Sequence, residues 1–379
     1  MRPSIYLSLK LLLISLLISQ SRQISAQPDS AGAAVQVLIP KAAQSRHILI
    51  LPLVARSIET DWSLGVAGSF TFRINRFDTL TRTSNTQALI LYSLRKQFIT
   101  AVNGTTYFPG ERYILNHQLS YSYFPDKFWG LAKAAPDHNE ESYTFKQYYI
   151  FLHLQRKLKD RFFGGFIYEY QRLLAVDHRP GGLFDQQQVV GREPYHISGA
   201  GLSLTYDTRN NAFAPDRGSL IQVFFNHFNP VFGSDFRYTA YTVDLRRFIR
   251  MFHNQVLALQ AFGQFNAGAV PLRSLASFGG SNSMRGFYDG RFRSKNQAVL
   301  QAEYRVPIVW RIGAVGFVGI GNVGDRFRDL NFQELKYSYG GGLRVALNRK
   351  ERLNLRVDYG WGFGESTSHG LYFQLGEAF

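Results

Sequence analysis

From His47 onward the chain alternates between two kinds of position. In Arg352–Phe363 the even positions hold Arg352, Asn354, Arg356 and Asp358, while the odd ones hold Leu353, Leu355, Val357, Tyr359 and Trp361. In Gln297–Trp310 one side carries Gln297, Gln301, Glu303 and Arg305, and the other Ala298, Leu300, Ala302, Tyr304, Val306 and Ile308. Tyr238–Phe248 sets Thr242, Asp244 and Arg246 against Tyr241, Val243 and Leu245. A period of two marks strands whose faces meet different surroundings.

Sixteen segments share this pattern. The first eight are His47–Arg56, Asp61–Ile74, Asn85–Leu94, Phe98–Phe108, Arg112–Phe124, Ser142–Lys157, Arg161–Leu173 and His196–Thr208. The other eight are Gly218–Phe228, Phe236–Arg250, Gln255–Asn266, Gln297–Trp310, Ile312–Val323, Lys336–Leu347, Arg352–Phe363 and His369–Phe379. Pro109-Gly110, Pro125-Asp126 and Lys159-Asp160 read as tight turns, and Ala134–Glu140 and Leu174–Pro194 as longer loops. Many strands reach twelve residues, and charge repeatedly faces large aromatics. That combination predicts an all-β fold: a transmembrane antiparallel β-barrel of about sixteen strands, with a wet lumen and a lipid-facing exterior. Short turns on one side and long loops on the other fit a bacterial outer membrane.

The N-terminal residues set the expected address. Arg2 and Lys10 flank a positive start, Leu11–Ser19 is a short apolar run, and Ile24-Ser25-Ala26 offers a small residue for cleavage. This pattern predicts a signal peptide over 1–26, because the run is too short to span a bilayer. Residues 27–46 are a polar, flexible lead, and 47–379 the barrel. The absence of cysteine excludes both a disulfide framework and a lipidated cysteine. The chain has 32 Phe, 21 Tyr and 4 Trp, enough for aromatic girdles. Its formal charge of +16 includes three cations of the leader. On an exported protein the excess points to outer-membrane lipid and anionic surface glycolipid as partners, and export argues against nucleic acid.

Few residues suggest catalysis. Gly319-Ile320-Gly321-Asn322-Val323-Gly324 matches a dinucleotide-binding fingerprint, but no βαβ unit surrounds it. Within a barrel strand those glycines allow twist and close approach of a packed loop. The nine histidines form no metal-ligand spacing, so no cofactor or metal is expected. His153 and His227 are the candidates for a lumen hydrolase, a weaker reading than a structural role. The expectation is a protein that is not an enzyme.

Two stretches remain. Gly279–Arg293 holds four glycines and three arginines between two strand-like segments, a loop where irregular backbone and fixed charge coincide. Leu204–Gly218 is a strand end, a polar turn and a glycine that starts the return strand. Its Tyr206-Asp207-Thr208-Arg209-Asn210-Asn211, with Pro215 and Gly218, resembles the hairpin signature of the BamA/TamA-like bacterial surface-antigen family. Met284-Arg285-Gly286-Phe287 resembles that family's loop motif, and Glu303-Tyr304-Arg305-Val306-Pro307 the strand that follows.

The resemblance implies a loop that follows strand eleven, which is also where the strand count places Gly279–Arg293, and that tucks back into the lumen. It implies a motif of Gly279, Gly280, Met284, Arg285, Gly286 and Phe287, with Arg285 anchored to acids of the barrel wall. The usual wall acid is absent: Phe317-Val318-Gly319-Ile320-Gly321 has glycine in its place. Glu303 is the first candidate partner for Arg285, and Asp358 the second. The hairpin residues Asp207, Thr208, Arg209, Pro215 and Gly218 complete the match. At the C-terminal strand, Leu371, Phe373, Leu375 and Phe379 are expected on one face as an assembly signal for the barrel-assembly machinery, with Glu377 breaking the register. A seam between His47–Arg56 and His369–Phe379 is expected to pair poorly. Relatives that insert or secrete proteins carry POTRA domains ahead of the barrel. The 20 residues 27–46 cannot hold one, so either the substrate-receiving part is missing or a periplasmic partner protein supplies POTRA-like contacts. The implied role is assembly or translocation of outer-membrane or surface components. The alternative is a passive pore or structural barrel.

Overall fold

Alternation closes the sheet on itself. The computed structural model describes residues 47–75, 77–78, 81–131, 135–211, 214–331, 334–348, 352–364 and 367–379. The expected leader and lead lie outside them. Eighteen strands follow in order: β1 (His47–Ser57), β2 (Asp61–Phe72), β3 (Ser84–Ser93), β4 (Phe98–Tyr107), β5 (Tyr113–Phe128), β6 (Glu141–Lys159), β7 (Phe162–Asp177), β8 (Tyr195–Asp207), β9 (Gly218–Phe228), β10 (Tyr238–Arg250), β11 (Val256–Gly268), β12 (Ala276–Phe278), β13 (Phe292–Ser294), β14 (Asn296–Val309), β15 (Ile312–Gly324), β16 (Lys336–Asn348), β17 (Leu353–Phe363) and β18 (Thr367–Leu375). Sixteen of them form a closed antiparallel barrel in which β11 pairs with β14. The short β12 and β13 pair only with each other, inside the β11–β14 connection.

The two faces separate as the chemistry requires. Leu64, Ile90, Leu152, Phe166, Leu202, Leu300 and Val318 point outward and are exposed. Gln87, Asn116, Gln171, Gln222, Gln260 and Gln301 point inward and are buried. Lumen amides bond across strands, as in Gln171 to Gln147 (2.9 Å) and Gln301 to Gln260 (2.9 Å). An apolar exterior over a hydrogen-bonded polar interior is the arrangement of a lipid-embedded barrel. The fingerprint-like Gly319–Gly324 lies within β15 and is ordinary strand.

Two expected boundaries need correction. Pro125-Asp126 is not a turn but the upper part of β5, which pairs with β6 as far as Phe128 opposite Glu141. Proline is tolerated there because β4 begins at Phe98, opposite Tyr123, so β5 has no strand partner on that side beyond it; the Pro125 carbonyl instead accepts from the Gln97 side chain (3.0 Å). Asp126 is held inward by bonds from Tyr143 (2.6 Å) and Tyr288 (2.9 Å). Likewise β7 runs on to Asp177, and the loop after it contains a one-turn helix, Leu183–Gln186.

The barrel has one weak join. β1 and β18 share a single residue pair, Arg56 opposite Phe373, whereas β3 and β4 are zipped from Asn85–Thr105 to Tyr92–Phe98. Pro52 sits inside β1 and offers no N–H, which suits an edge strand. Side chains do much of the closing. Trp62 and Phe373 meet on the outside at 5.9 Å. Ile58 of the β1–β2 hairpin occupies the space over Gly370, where a Cβ would lie 2.1 Å from it.

The lipid-facing assignment is tested at Leu202, midway along β8. Leu202→Arg should lower folding stability in lipid vesicles by about 2–4 kcal/mol, measured by urea titration. A change near zero would place that face in water.

Candidate functional site: the lumen loop and the seam

The β11–β14 connection folds inward and lays its tip against the wall. Gly279 (φ 123°) and Gly280 (φ 88°) open the turn, and the Gly280 N–H donates to the carbonyl of Phe287 (2.9 Å). Phe287 packs against Phe278 and Phe292, the aromatics of the β12–β13 ribbon. The ribbon thus fixes the base of the loop, and the tip projects Arg285.

Arg285 is 1% exposed. Its Nη1 donates to Asp358 (2.5 Å) and its Nη2 to Glu303 (2.7 Å). The guanidinium also lies over the Phe317 ring, 3.5 Å from its centroid. A buried arginine is tolerated only when its charge is met, and here two strands on either side of the missing acid meet it. Gly319 makes room for the loop instead: a Cβ there would lie 3.1 Å from Met284 Sδ. Met284 itself is held by its N–H to Gln301 (3.0 Å).

The charges extend further than the sequence motif. Arg344 donates to Asp358 (2.5 Å) and to Glu377 (2.7 Å). Arg305 donates to Glu303 (2.8 Å) and to the main-chain oxygen of Phe379 (3.0 Å). Arg356, fully buried, donates to Asn282 of the loop (2.9 Å). One network therefore joins the loop tip, β14, β16, β17 and the segment after β18.

The tip also bridges the weak join from inside. The Gly286 N–H donates to Tyr372 Oη (2.9 Å), and Ser368 Oγ donates to the Gly286 carbonyl (2.8 Å); both partners lie on β18. On the other side the Asp289 N–H donates to Glu59 of the β1–β2 hairpin (2.8 Å). This close approach needs bare backbone. A Cβ at Gly286 (φ 113°) would lie 2.5 Å from the Trp361 carbonyl carbon, one at Gly360 2.7 Å from Arg285, and one at Gly362 2.8 Å from the Phe287 ring. Arg344, Glu59, Ser368, Tyr372, Gly360 and Gly362 were not legible as site residues. Only the run Gly360-Trp361-Gly362-Phe363-Gly364, unusually glycine-rich for the end of a strand, signals a surface built for something to lie on.

The C-terminal segment departs from expectation. Leu371 and Phe373 lie on the outer face of β18, and the side chain of Leu375 lies outside the described residues. Phe379 is not on that face. Gly376 (φ 80°) ends the strand, and its N–H donates to Asn354 (2.8 Å). Glu377 then follows Arg344 and Arg305 inward, and Phe379 packs with Phe248 and Ala258. The carboxylate at 377, an interruption in the pattern, turns the chain because its counter-charges are in the lumen.

The hairpin motif folds at the opposite end of the barrel from the loop. Asp207 accepts from the Arg209 guanidinium (2.9 Å) and main-chain N–H (3.0 Å). The Thr208 N–H donates to the Ser219 carbonyl (2.8 Å), and Pro215 is buried. Gly218 (φ 105°) is required because a Cβ would lie 2.3 Å from the Thr208 carbonyl oxygen. Asp216 reaches across to Arg352, after β16 (2.7 Å), and also pairs with Arg250. His153 and His227 are not brought together. His153 Nε2 is bonded across Gly165 of β7 to Ser203 on β8 (2.6 Å), and His227 Nδ1 to Thr239 on the adjoining β10 (2.8 Å).

The sequence matches the model of the Omp85 superfamily domain over residues 65–379. The chain belongs to the Omp85 superfamily. Among solved structures this Omp85 barrel is similar to BamA from Haemophilus ducreyi lacking POTRA domains 1–3, at 12% identity and a TM-score of 0.59, covering 91% of this chain and 76% of that one. It is similar to CdiB from Acinetobacter baumannii at 13% identity and TM-score 0.58, and to CdiB from Escherichia coli at 12% and 0.57. Those matches cover 88% and 89% of this chain, but only 60% and 63% of the CdiB chains. At such identities the likeness is one of fold. No match to the sequence was found among curated proteins.

Arg285→Ala would leave Glu303 and Asp358 to the remaining arginines and empty the site under the tip. It should destabilise the folded barrel by about 3–5 kcal/mol, read as a lower temperature for loss of the compact form on unheated gels. Gly362→Val should displace Phe287 and lower that temperature with all charges intact. Unchanged unfolding in both variants would remove the loop from the stabilising structure.

Proposed function

We propose that this Omp85 barrel assists assembly or translocation of outer-membrane or surface polypeptides, working through the β1–β18 seam. The observation that carries the proposal is the single residue pair at that seam, in a barrel otherwise zipped along its strands. An unpaired strand edge is a template for another strand. Such an edge, facing lipid, suits a nascent β-strand better than a solute. The loop braces the same seam from inside through Tyr372, Ser368 and Glu59. Opening the seam therefore trades few backbone bonds and leaves the braced interior to restore closure.

The family and the barrel's lipid-facing exterior favour the bacterial outer membrane as its location. By the two termini of β1 and β18, the loop end would face outward and the hairpin end the periplasm. A separate periplasmic protein supplying POTRA-like contacts would deliver clients to the hairpin end. Barrel-assembly machinery would insert the chain itself. The reading assigns no catalytic step to the barrel. The passive-pore alternative is disfavoured because the loop and the turned-in C-terminal segment occupy the lumen.

The natural absence of cysteine makes the test clean. Arg56→Cys with Phe373→Cys should form a disulfide across the seam. Cells carrying it should lose the barrel's contribution to surface assembly, and reductant should restore it. Full activity with the seam locked, or large stable channels in planar bilayers, would instead favour the pore.

A further inference from the structure

At the loop end the wall has a notch. β4 begins at Phe98, while β5 continues to Phe128, so the β5 edge stands above the β3–β4 turn. A cleft of about 390 Å³ opens there, within the size range of small-ligand sites. Arg95, at the exposed β3–β4 turn, and Lys127, which also pairs with Glu140 (2.5 Å), supply cationic groups. Ser142, Thr144 and Asp177 supply hydroxyls and a carboxylate. The floor is Tyr288, from the lumen loop.

We propose that this cleft binds a sugar carrying a phosphate or carboxylate, as in the headgroup of an acidic glycolipid. The argument rests on three features. The cations suit the acid, Arg95 with the planar fork that matches oxyanions, while hydroxyls with a carboxylate suit the sugar's own hydroxyls. The acid deepest in the cleft, Asp126, already accepts from Tyr143, Tyr288 and Arg293, so its charge is met. The notch is lined both by Lys127 and Thr144, which alternate outward from Asp126 and Tyr143, and by Tyr288 from within. A headgroup anchored in the surrounding leaflet can therefore enter sideways and touch the loop. Bound there, it would contact the same loop that braces the seam. The surface source of the ligand rests on the outward orientation of the loop end given above; the cleft does not.

The test uses the intact barrel in detergent and in vesicles. Calorimetric titration with glucosamine 6-phosphate should give a Kd on the order of 1 mM. Glucose should not bind, and inorganic phosphate should bind at least about tenfold more weakly. Arg95→Gln with Lys127→Gln should weaken the sugar phosphate by a similar factor while the barrel keeps its folded gel mobility. Trp129, whose ring lies 5.1 Å from Tyr288, should change emission on binding. Retention of a phosphorylated glycolipid from mixed vesicles, lost in the double variant, identifies the membrane as the source. Binding of the free sugar phosphate alone supports the site with a soluble ligand. Equal binding of inorganic phosphate and sugar phosphate, or no binding by either route, overturns the proposal. Failure of Val231→Cys, in the exposed β9–β10 connection at the same end of the barrel, to label on intact cells, with sugar-phosphate binding preserved in detergent, would overturn the orientation and leave the cleft standing.

Discussion

A buried guanidinium holds this barrel's interior together. Arg285 comes from a loop tip with no strand of its own, and it is met by carboxylates on β14 and β17. Removing such a charge from water costs several kcal/mol, so the loop is stable inside only while both acids face it. That requirement fixes much else. Glu303 and Asp358 must be inward and desolvated, Arg344 and Arg305 share them, and Glu377 is drawn in behind. The turned-in C-terminal segment and the inward loop are consequences of one charge network.

The network compensates for a weak seam. A closed barrel normally removes its edges by pairing every strand, and here one join is left almost unpaired. The deficit is met from the lumen side, where the Arg285 tip touches β18 and the β1–β2 hairpin. Glycines at 286, 360 and 362 permit the contact by leaving no side chain between the two backbones. Strength is thus placed behind the seam rather than along it.

The barrel was legible because alternation is imposed by two different solvents, lipid and a polar lumen. Arg352–Phe363 and Gln297–Trp310 follow it; β1 does not, since Leu53 and Ala55 are buried within while Ile48 and Ile50 are exposed outside. Local rules failed where long-range contacts overrode them. Pro125-Asp126 has turn chemistry, yet Tyr143 and Tyr288 hold Asp126 in an extended strand. Phe379 fits an outward alternation, yet Gly376 and Glu377 turn it inward. The loop residues could be read from glycine and arginine content. Their partners Ser368, Tyr372 and Glu59 could not, because nothing local marks a tyrosine or serine as the acceptor or donor for a loop some 80 or more residues away.

Hydrogen–deuterium exchange of the seam strands addresses the central claim most directly. In a Glu303→Gln, Asp358→Asn variant, Arg285 loses both counter-charges while the lipid-facing surface is untouched. The amides of β18 should then exchange ~10-fold faster or more, with those of β6–β8 unchanged. Exchange in β18 equal to that of the wild type, or faster exchange spread evenly around the barrel, would contradict a loop that braces the seam.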